Sequence, residues 1–272
     1  MKTSLWVGVL ILAAAGTLCA DDPEVVRVPL GDPARPAHVQ VHLMNGPIMV
    51  RGADVKEITV EARGGTPLRD NRRPDPKAQG MKRLDAGAGS GINVDEQNNS
   101  VTIKSGLLMG NSALTITVPR RCSLQLKTMQ GRIAAQNVEG EIDVNTMTGD
   151  IDLKNVSGSV LAHSLNGPIT VTMDRVDSVK AMSFSTLNGD IDVTLPATTR
   201  ANVKMKTDNG EIYSDFDVKL ASNTSVVTND SLREDGRYRI RLDRTLHGTI
   251  NGGGPDIQFT SFNGKIYIRR KK

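Results

Sequence analysis

Three acidic motifs are the residues best placed to do chemistry. Gly-Glu-Ile-Asp and Gly-Asp-Ile-Asp set Glu141 beside Asp143, Asp150 beside Asp152, and Asp190 beside Asp192, two residues apart each time. In a strand, residues i and i+2 share a face, so each pair turns two carboxyls outward. Glycoside cleavage needs two carboxyls about 5 to 9.5 Å apart beside a cleft. The sequence gives no reason for a cleft. In a fold that repeats every eighteen residues, Arg132, Asp150 and Pro168 share one column, so Asp150 is expected to meet a cation and no second acid. The expectation is a protein that is not an enzyme, with no catalytic residue. Asp150 and Asp190 are the candidates for the rival reading, a carbohydrate-active enzyme.

Metal and cofactor chemistry find no better support. His38 and His42 lie four residues apart, which in a strand separates them by about 13 Å along one face. His163 and His247 have no cysteine or histidine near them. The acidic repeats do not follow the glycine-rich nonapeptide pattern that binds calcium in related repeats. Gly252-Gly253-Gly254 runs into Pro255, not into a phosphate-cradling helix. No metal and no cofactor are implied. Cys122, in a strand-like run, reads as a small buried hydrophobe.

Aromatic placement points to binding. Once residues 1–20 are set aside, every aromatic side chain lies in the C-terminal third, and Tyr213 and Tyr267 each stand three after a repeat glycine, an outward position. They are the candidate binding residues. Exposed tyrosines offer an apolar body with a polar tip to a glycan or a protein. The plainer reading is that they cover one end of the fold.

The elements that must position these residues repeat. Gly131, Gly140, Gly149, Gly158 and Gly167 recur every nine residues, each with an apolar residue two before and another two after. Alternation with period two is the mark of a strand with one buried face, and a glycine punctuates it where the chain must bend. Two nine-residue units would complete one coil of a single-stranded β-helix, so residues eighteen apart would stack at about 4.8 Å. The rows this predicts are Met129, Met147 and Leu165 in the interior, Thr128, Thr146 and Ser164 beside them, and Gln130, Thr148 and Asn166 at a corner. There, amides can bond along the axis. Beyond Gly167 the motif continues as Asn188-Gly189, Asn209-Gly210 and Asn263-Gly264, and Asn45-Gly46 precedes the series. Asn-Gly also marks two-residue hairpins, so an antiparallel β-sandwich is the alternative. Open strand edges need covering, and Val25–Ala62 and Tyr238–Ile268 are the expected caps.

Residues 1–20 read as a signal peptide: Lys2, an apolar run from Leu5 to Leu18, then Leu18-Cys19-Ala20. The run is short for a bilayer span, which needs about 20 apolar residues, and no later segment is apolar enough, so no transmembrane span is expected in the mature chain. Gly16-Thr17-Leu18 puts leucine where a lipoprotein signal needs a small residue, which argues against lipidation at Cys19. The formal charge of +4 falls to +3 with the loss of Lys2, the one charged residue of that segment. An exported protein with this mild charge is not expected to bind nucleic acid. Residues 21–37 read as a leader or first edge strand and 38–272 as one β-solenoid domain. A basic, proline- and arginine-rich loop at 66–90 interrupts it, and a second polar loop is expected from Ala221 to Gly236.

Gly46-Pro47-Ile48-Met49-Val50-Arg51-Gly52, Leu114-Thr115-Ile116-Thr117-Val118-Pro119 followed by Leu124–Thr128, the Asn-Gly-Asp-Ile-Asp-Val repeats, and Asn251-Gly252-Gly253-Gly254-Pro255 with Ser261–Ile266 carry a likeness in their order. Over about residues 38–268 the chain resembles the bacterial putative-adhesin domain family of unknown function. The resemblance implies an exported or envelope-tethered β-solenoid with no catalytic residues to carry over, and the 66–90 loop departs from it. The expected role is a non-catalytic adhesin-like surface or scaffold in the periplasm, at the cell envelope or outside the cell. An envelope protein or glycan is the expected partner, and self-assembly is the third reading.

Overall fold

The computed structural model describes residues 24–64, 92–105, 112–221, 226–229, 240–243 and 245–272. The signal segment, the 66–90 loop and most of the Ala221–Gly236 stretch lie outside the described residues. The protein is all-β, with no helix among the described residues. Its strands are β1 (Glu24–Pro29), β2 (Ala37–Asn45), β3 (Ile48–Ala53), β4 (Glu57–Gly64), β5 (Ile92–Gln97), β6 (Ser100–Ser105), β7 (Ser112–Pro119), β8 (Cys122–Gln130), β9 (Ile133–Gln136), β10 (Glu139–Thr148) and β11 (Ile151–Asn166). There follow β12 (Ile169–Val176), β13 (Met182–Asn188), β14 (Ile191–Leu195), β15 (Ala201–Asn209), β16 (Ile212–Ser214), β17 (Val218–Leu220), β18 (Val226–Asn229), β19 (Ile240–Asp243), β20 (Thr245–Ile250), β21 (Asp256–Asn263) and β22 (Ile266–Arg270).

The strands form two ladders joined through the long, bent β11. One face runs β5, β6, β2, β8, β10, the second half of β11, β13, β21, β15, β20, β17. The other runs β1, β4, β7, β3, β9, the first half of β11, β12, β14, β22, β16. Through the repeat the pairing is parallel and eighteen residues apart: Leu124 with Ile142, Ile142 with Val160, Ile133 with Ile151, Ile151 with Ile169. The Asn-Gly corners join β2 to β3, β11 to β12, β13 to β14 and β21 to β22, and none of these joined strands pair antiparallel; β11 meets β12 only in parallel, through its first half. They are corners between faces, not hairpin turns.

The nine-residue echo therefore mixes two sites. Gly131, Gly149 and Gly167 stack at one corner, while Gly140 lies over Gly158 at the other. A Cβ on Gly149 would stand 2.0 Å from the carbonyl oxygen of Gly131, and φ is +148°, so this column tolerates only glycine.

Met129, Met147 and Leu165 do stack, but outside the fold. They are 45, 48 and 36 % exposed, whereas Thr128, Thr146 and Ser164 point inward at 6, 1 and 0 %. Parity explains the correction: Leu124 and Leu126, Ile142 and Val144, and Val160 and Ala162 are buried, and counting in twos from them reaches the hydroxyl residue, not the methionine. Thr128 Oγ1 donates to Gln130 O (3.4 Å) and Thr146 Oγ1 has no hydrogen-bond partner among the described residues, whereas four other hydroxyls of the row reach the glycine carbonyl of the neighbouring rung. Ser164 Oγ donates to Gly149 O (3.2 Å), Thr186 Oγ1 to Gly167 O (3.1 Å), Ser261 Oγ to Gly189 O (3.2 Å) and Thr207 Oγ1 to Gly264 O (2.9 Å). The expected corner row is present, with Gln130, Thr148 and Asn166 in register. The amide ladder itself begins at Asn166 and runs through the later copies: Asn188 Nδ2 donates to Asn166 Oδ1 (2.7 Å), Asn263 to Asn188 (2.8 Å) and Asn209 to Asn263 (2.9 Å).

The expected caps hold in part: β1 and β4 of Val25–Ala62 and β20 of Tyr238–Ile268 cover the ends, but the other strands of those segments are interior. β2 and β3 lie between β6 and β7 on one side and β8 and β9 on the other. At the far end β21 and β22 are inserted between β13 and β14 and the strands β15 and β16. Both terminal rungs are interior, and Phe259 of β21 stacks on Phe184 in the core at 5.3 Å. The covering is done by antiparallel strands: β1 and β4 on β7, β5 on β6, and β20 and β17 on β15. Antiparallel pairing satisfies the outermost backbone groups and stops the parallel ladder. Val25 and its neighbours in β1 thus form an edge strand within residues 21–37.

Candidate functional site

On the second face, outward residues alternate with inward isoleucines. Ile212, Ile266 and Ile268 turn inward, and Glu211, Tyr213, Lys265, Tyr267 and Arg269 turn out. Tyr213 on β16 and Tyr267 on β22 are cross-strand neighbours, their rings stacked 5.3 Å apart at 9°. The Tyr213 hydroxyl donates to Glu211 Oε2 (2.5 Å), and Lys265 Nζ lies 3.4 Å from the same carboxylate and 6.0 Å from the Tyr213 ring centre. On the other side the Arg269 guanidinium sits 5.2 Å from the Tyr267 ring centre, and its Nε donates to both oxygens of Asp192 (2.8 and 3.0 Å). Six side chains therefore form one continuous ledge: Lys265, Glu211, Tyr213, Tyr267, Arg269, Asp192.

The electrostatics follow from these bonds. The Tyr213 hydrogen bond, then Lys265, hold the Glu211 carboxyl below its ordinary range, and the same bond raises the Tyr213 phenol. Glu211 raises the Lys265 ammonium, and Asp192 raises Arg269. These shifts keep Glu211, Lys265 and Arg269 charged across neutral pH.

The three acidic motifs are engaged in structural pairs. Arg132 does not meet Asp150. Its Nη2 donates to Asp152 Oδ2 at 2.6 Å, where Lys154 Nζ also converges at 3.1 Å. A long guanidinium at the corner reaches the outward residue of the next rung more readily than the corner residue above it. Asp143 accepts from Gln125 Nε2 (3.2 Å), Glu141 pairs with Lys180, and Asp190 accepts the backbone N–H of Lys265 (2.7 Å). Cys122 is buried, and burial pushes its thiol up to about 12. His42, on the outer face of β2, is lowered by burial and by Lys127 and Lys104.

Parity placed both tyrosines outward from sequence alone, but their adjacency could not be seen. They are fifty-four residues apart, and only the insertion of β21 and β22 makes them neighbours. A second surface was misassigned: the exposed row containing Met129, Met147 and Leu165. Its signal was present, since these residues fall out of phase with the Leu124–Leu126 pair.

Residues 75–251, more than half of the chain, match the Toastrack DUF4097 family. The chain belongs to that family. The toastrack match begins inside the arginine- and proline-rich segment, and it takes in the glycine repeat and the acidic motifs. No curated protein matches the chain. Two solved structures are similar to it at a distance. One is a putative cell adhesion protein from Clostridium sporogenes, 12 % identical, with 92 % of this chain and all of that one covered and a TM-score of 0.41. The other is a putative adhesin from Bacteroides fragilis, 11 % identical, with 94 % of this chain and all of that one covered and a TM-score of 0.38.

Proposed function

We propose that this toastrack chain is an exported, non-catalytic β-solenoid whose outer faces serve as an adhesin-like interaction surface or scaffold in the periplasm, at the cell envelope or outside the cell. The observation that carries this reading is the Tyr213–Tyr267 ledge. Two stacked rings, Tyr213 exposed and Tyr267 half-buried, with Lys265 and Arg269 beside them and hydrogen-bonding groups held at both margins, offer an ordered aromatic pair flanked by donors and acceptors. Ordering before binding lowers the cost of association, and aromatic side chains with a polar tip suit a glycan or an extended partner segment. The eighteen-residue parallel register supports the solenoid architecture, and parallel pairing of β14, β22 and β16 sets the ledge residues side by side.

A glycan panel and an envelope extract, screened with the purified protein and with Tyr213→Ala and Tyr267→Ala, test the reading. A ligand is expected whose affinity falls at least about tenfold in either variant, as for aromatic hot spots. Repeated failure to recover a ligand would count against it. Cleavage of a polysaccharide, abolished by Asp150→Ala or Asp190→Ala, would replace it with the enzymatic alternative.

A further inference from the structure

The exposed row on the first face is longer than its three repeat members. Strand register places Met44, Met129, Met147, Leu165, Leu187 and Phe262 on six consecutive rungs of β2, β8, β10, β11, β13 and β21, and all six are exposed. At about 4.8 Å per rung the stripe is roughly 24 Å long and one side chain wide. Each member stands one residue before the corner, so the stripe runs along a shoulder of the molecule. Scattered exposed apolar residues need no explanation, but a contiguous line of them marks a contact surface.

The row beside it is basic. Lys104, His42, Lys127, Asn145, His163, Ser185, Thr260 and Lys206 succeed one another with no carboxylate among them. Neither Lys104 nor Lys127 has an ion-pair partner among the described residues. Where the two rows run together, His42, Met44, Lys104, Lys127, Met129 and Met147 line a shallow groove of about 480 Å³. A second copy laid along this shoulder brings few anions, since Asp208 at the far end is the only acid in either row. A strip one side chain wide also falls well short of the roughly 800 Å² per partner that a stable dimer buries.

We propose that this shoulder docks the protein on an anionic lipid surface. Its methionine, leucine and phenylalanine side chains enter the interface between headgroups and acyl chains while Lys104 and Lys127 meet lipid phosphates. A continuous row of exposed apolar side chains beside a basic row suits a membrane surface, since apolar insertion combined with basic contacts is how peripheral proteins hold membranes. The inference goes beyond the aromatic ledge, which lies on the other face.

Sedimentation of the purified protein with phosphatidylglycerol-containing vesicles, and with pure phosphatidylcholine vesicles, tests it. Binding to the anionic vesicles alone is expected. It should fall more than about tenfold in Met129→Gln/Met147→Gln, two exposed positions where the fold has little at stake. It should fall about fivefold for each of Lys104→Gln and Lys127→Gln, and stay unchanged in Tyr213→Ala. Equal binding to both vesicles, no binding, or full binding by the methionine variant overturns the proposal. So does a dimer that the methionine variant dissolves, or capture of poly-glutamate through Lys104 and Lys127 without capture of vesicles.

Discussion

At the scale of single residues, the inward hydroxyls and the outward tyrosines make two separable predictions. Thr186 donates to the Gly167 carbonyl, whereas the Oγ1 of Thr146, equally buried, has no hydrogen-bond partner among the described residues. A buried hydroxyl without a partner costs stability, and one with a partner contributes about 1 kcal/mol. Thr186→Val should therefore lower the urea midpoint, while Thr146→Val should leave it unchanged or raise it. The pair would be misread if both variants moved alike. For the ledge, the sign follows from the two shifts. The raised Tyr213 phenol means the hydroxyl-to-carboxylate bond is fully present below the ordinary tyrosine pKa and lost as pH rises through the folded value. The lowered Glu211 means it is present above the ordinary carboxylate pKa and lost as pH falls through the lower folded value. Ultraviolet titration should show one tyrosine ionising late, and Glu211→Gln should return it toward the ordinary range.

The corner glycines govern the elements. Each strand leaves its face through a bend where the chain must pass within contact distance of the rung below, and a side chain there meets backbone, not a movable group. Gly149→Ala combines a left-handed φ with a 2.0 Å approach to Gly131 O, so a loss of roughly 3 kcal/mol is expected in chemical denaturation. Asn188 lies mid-ladder, donating to Asn166 and accepting from Asn263. Asn188→Ala removes both bonds and should cost about 1 to 2 kcal/mol. Gln130→Ala, in the same row, should cost less. Equal effects would mean the ladder contributes nothing beyond packing.

For the whole molecule, the inserted terminal rungs decide cooperativity. β21 and β22 pair on both sides, so their removal leaves the inner edges of β13, β14, β15 and β16 open together. Nearest-neighbour terms stabilise stacked repeats, and losing a middle rung removes two interfaces, not one. A chain ending at Pro255 should lose its sharp thermal transition and regain it when a peptide of residues 256–272 is added. A cooperative melt at the full-length temperature would refute this account.

The sequence alone determined what is local: the alternation that makes strands, the glycines that bend them, the eighteen-residue stacking of the repeat, the corner amide row and the outward tyrosines. These rest on covalent geometry and period, which any window of the chain displays. Tertiary structure decided that parity outweighs side-chain hydrophobicity at the corner, where Thr128, in phase with Leu124 and Leu126, turns inward and the more apolar Met129 turns out. It also decided that Arg132 seeks Asp152, and that β2–β3 and β21–β22 slot between distant rungs. Every strand in such a ladder presents nearly the same edge, so the choice of neighbour is set by which arrangement leaves the fewest backbone groups unpaired across the entire stack.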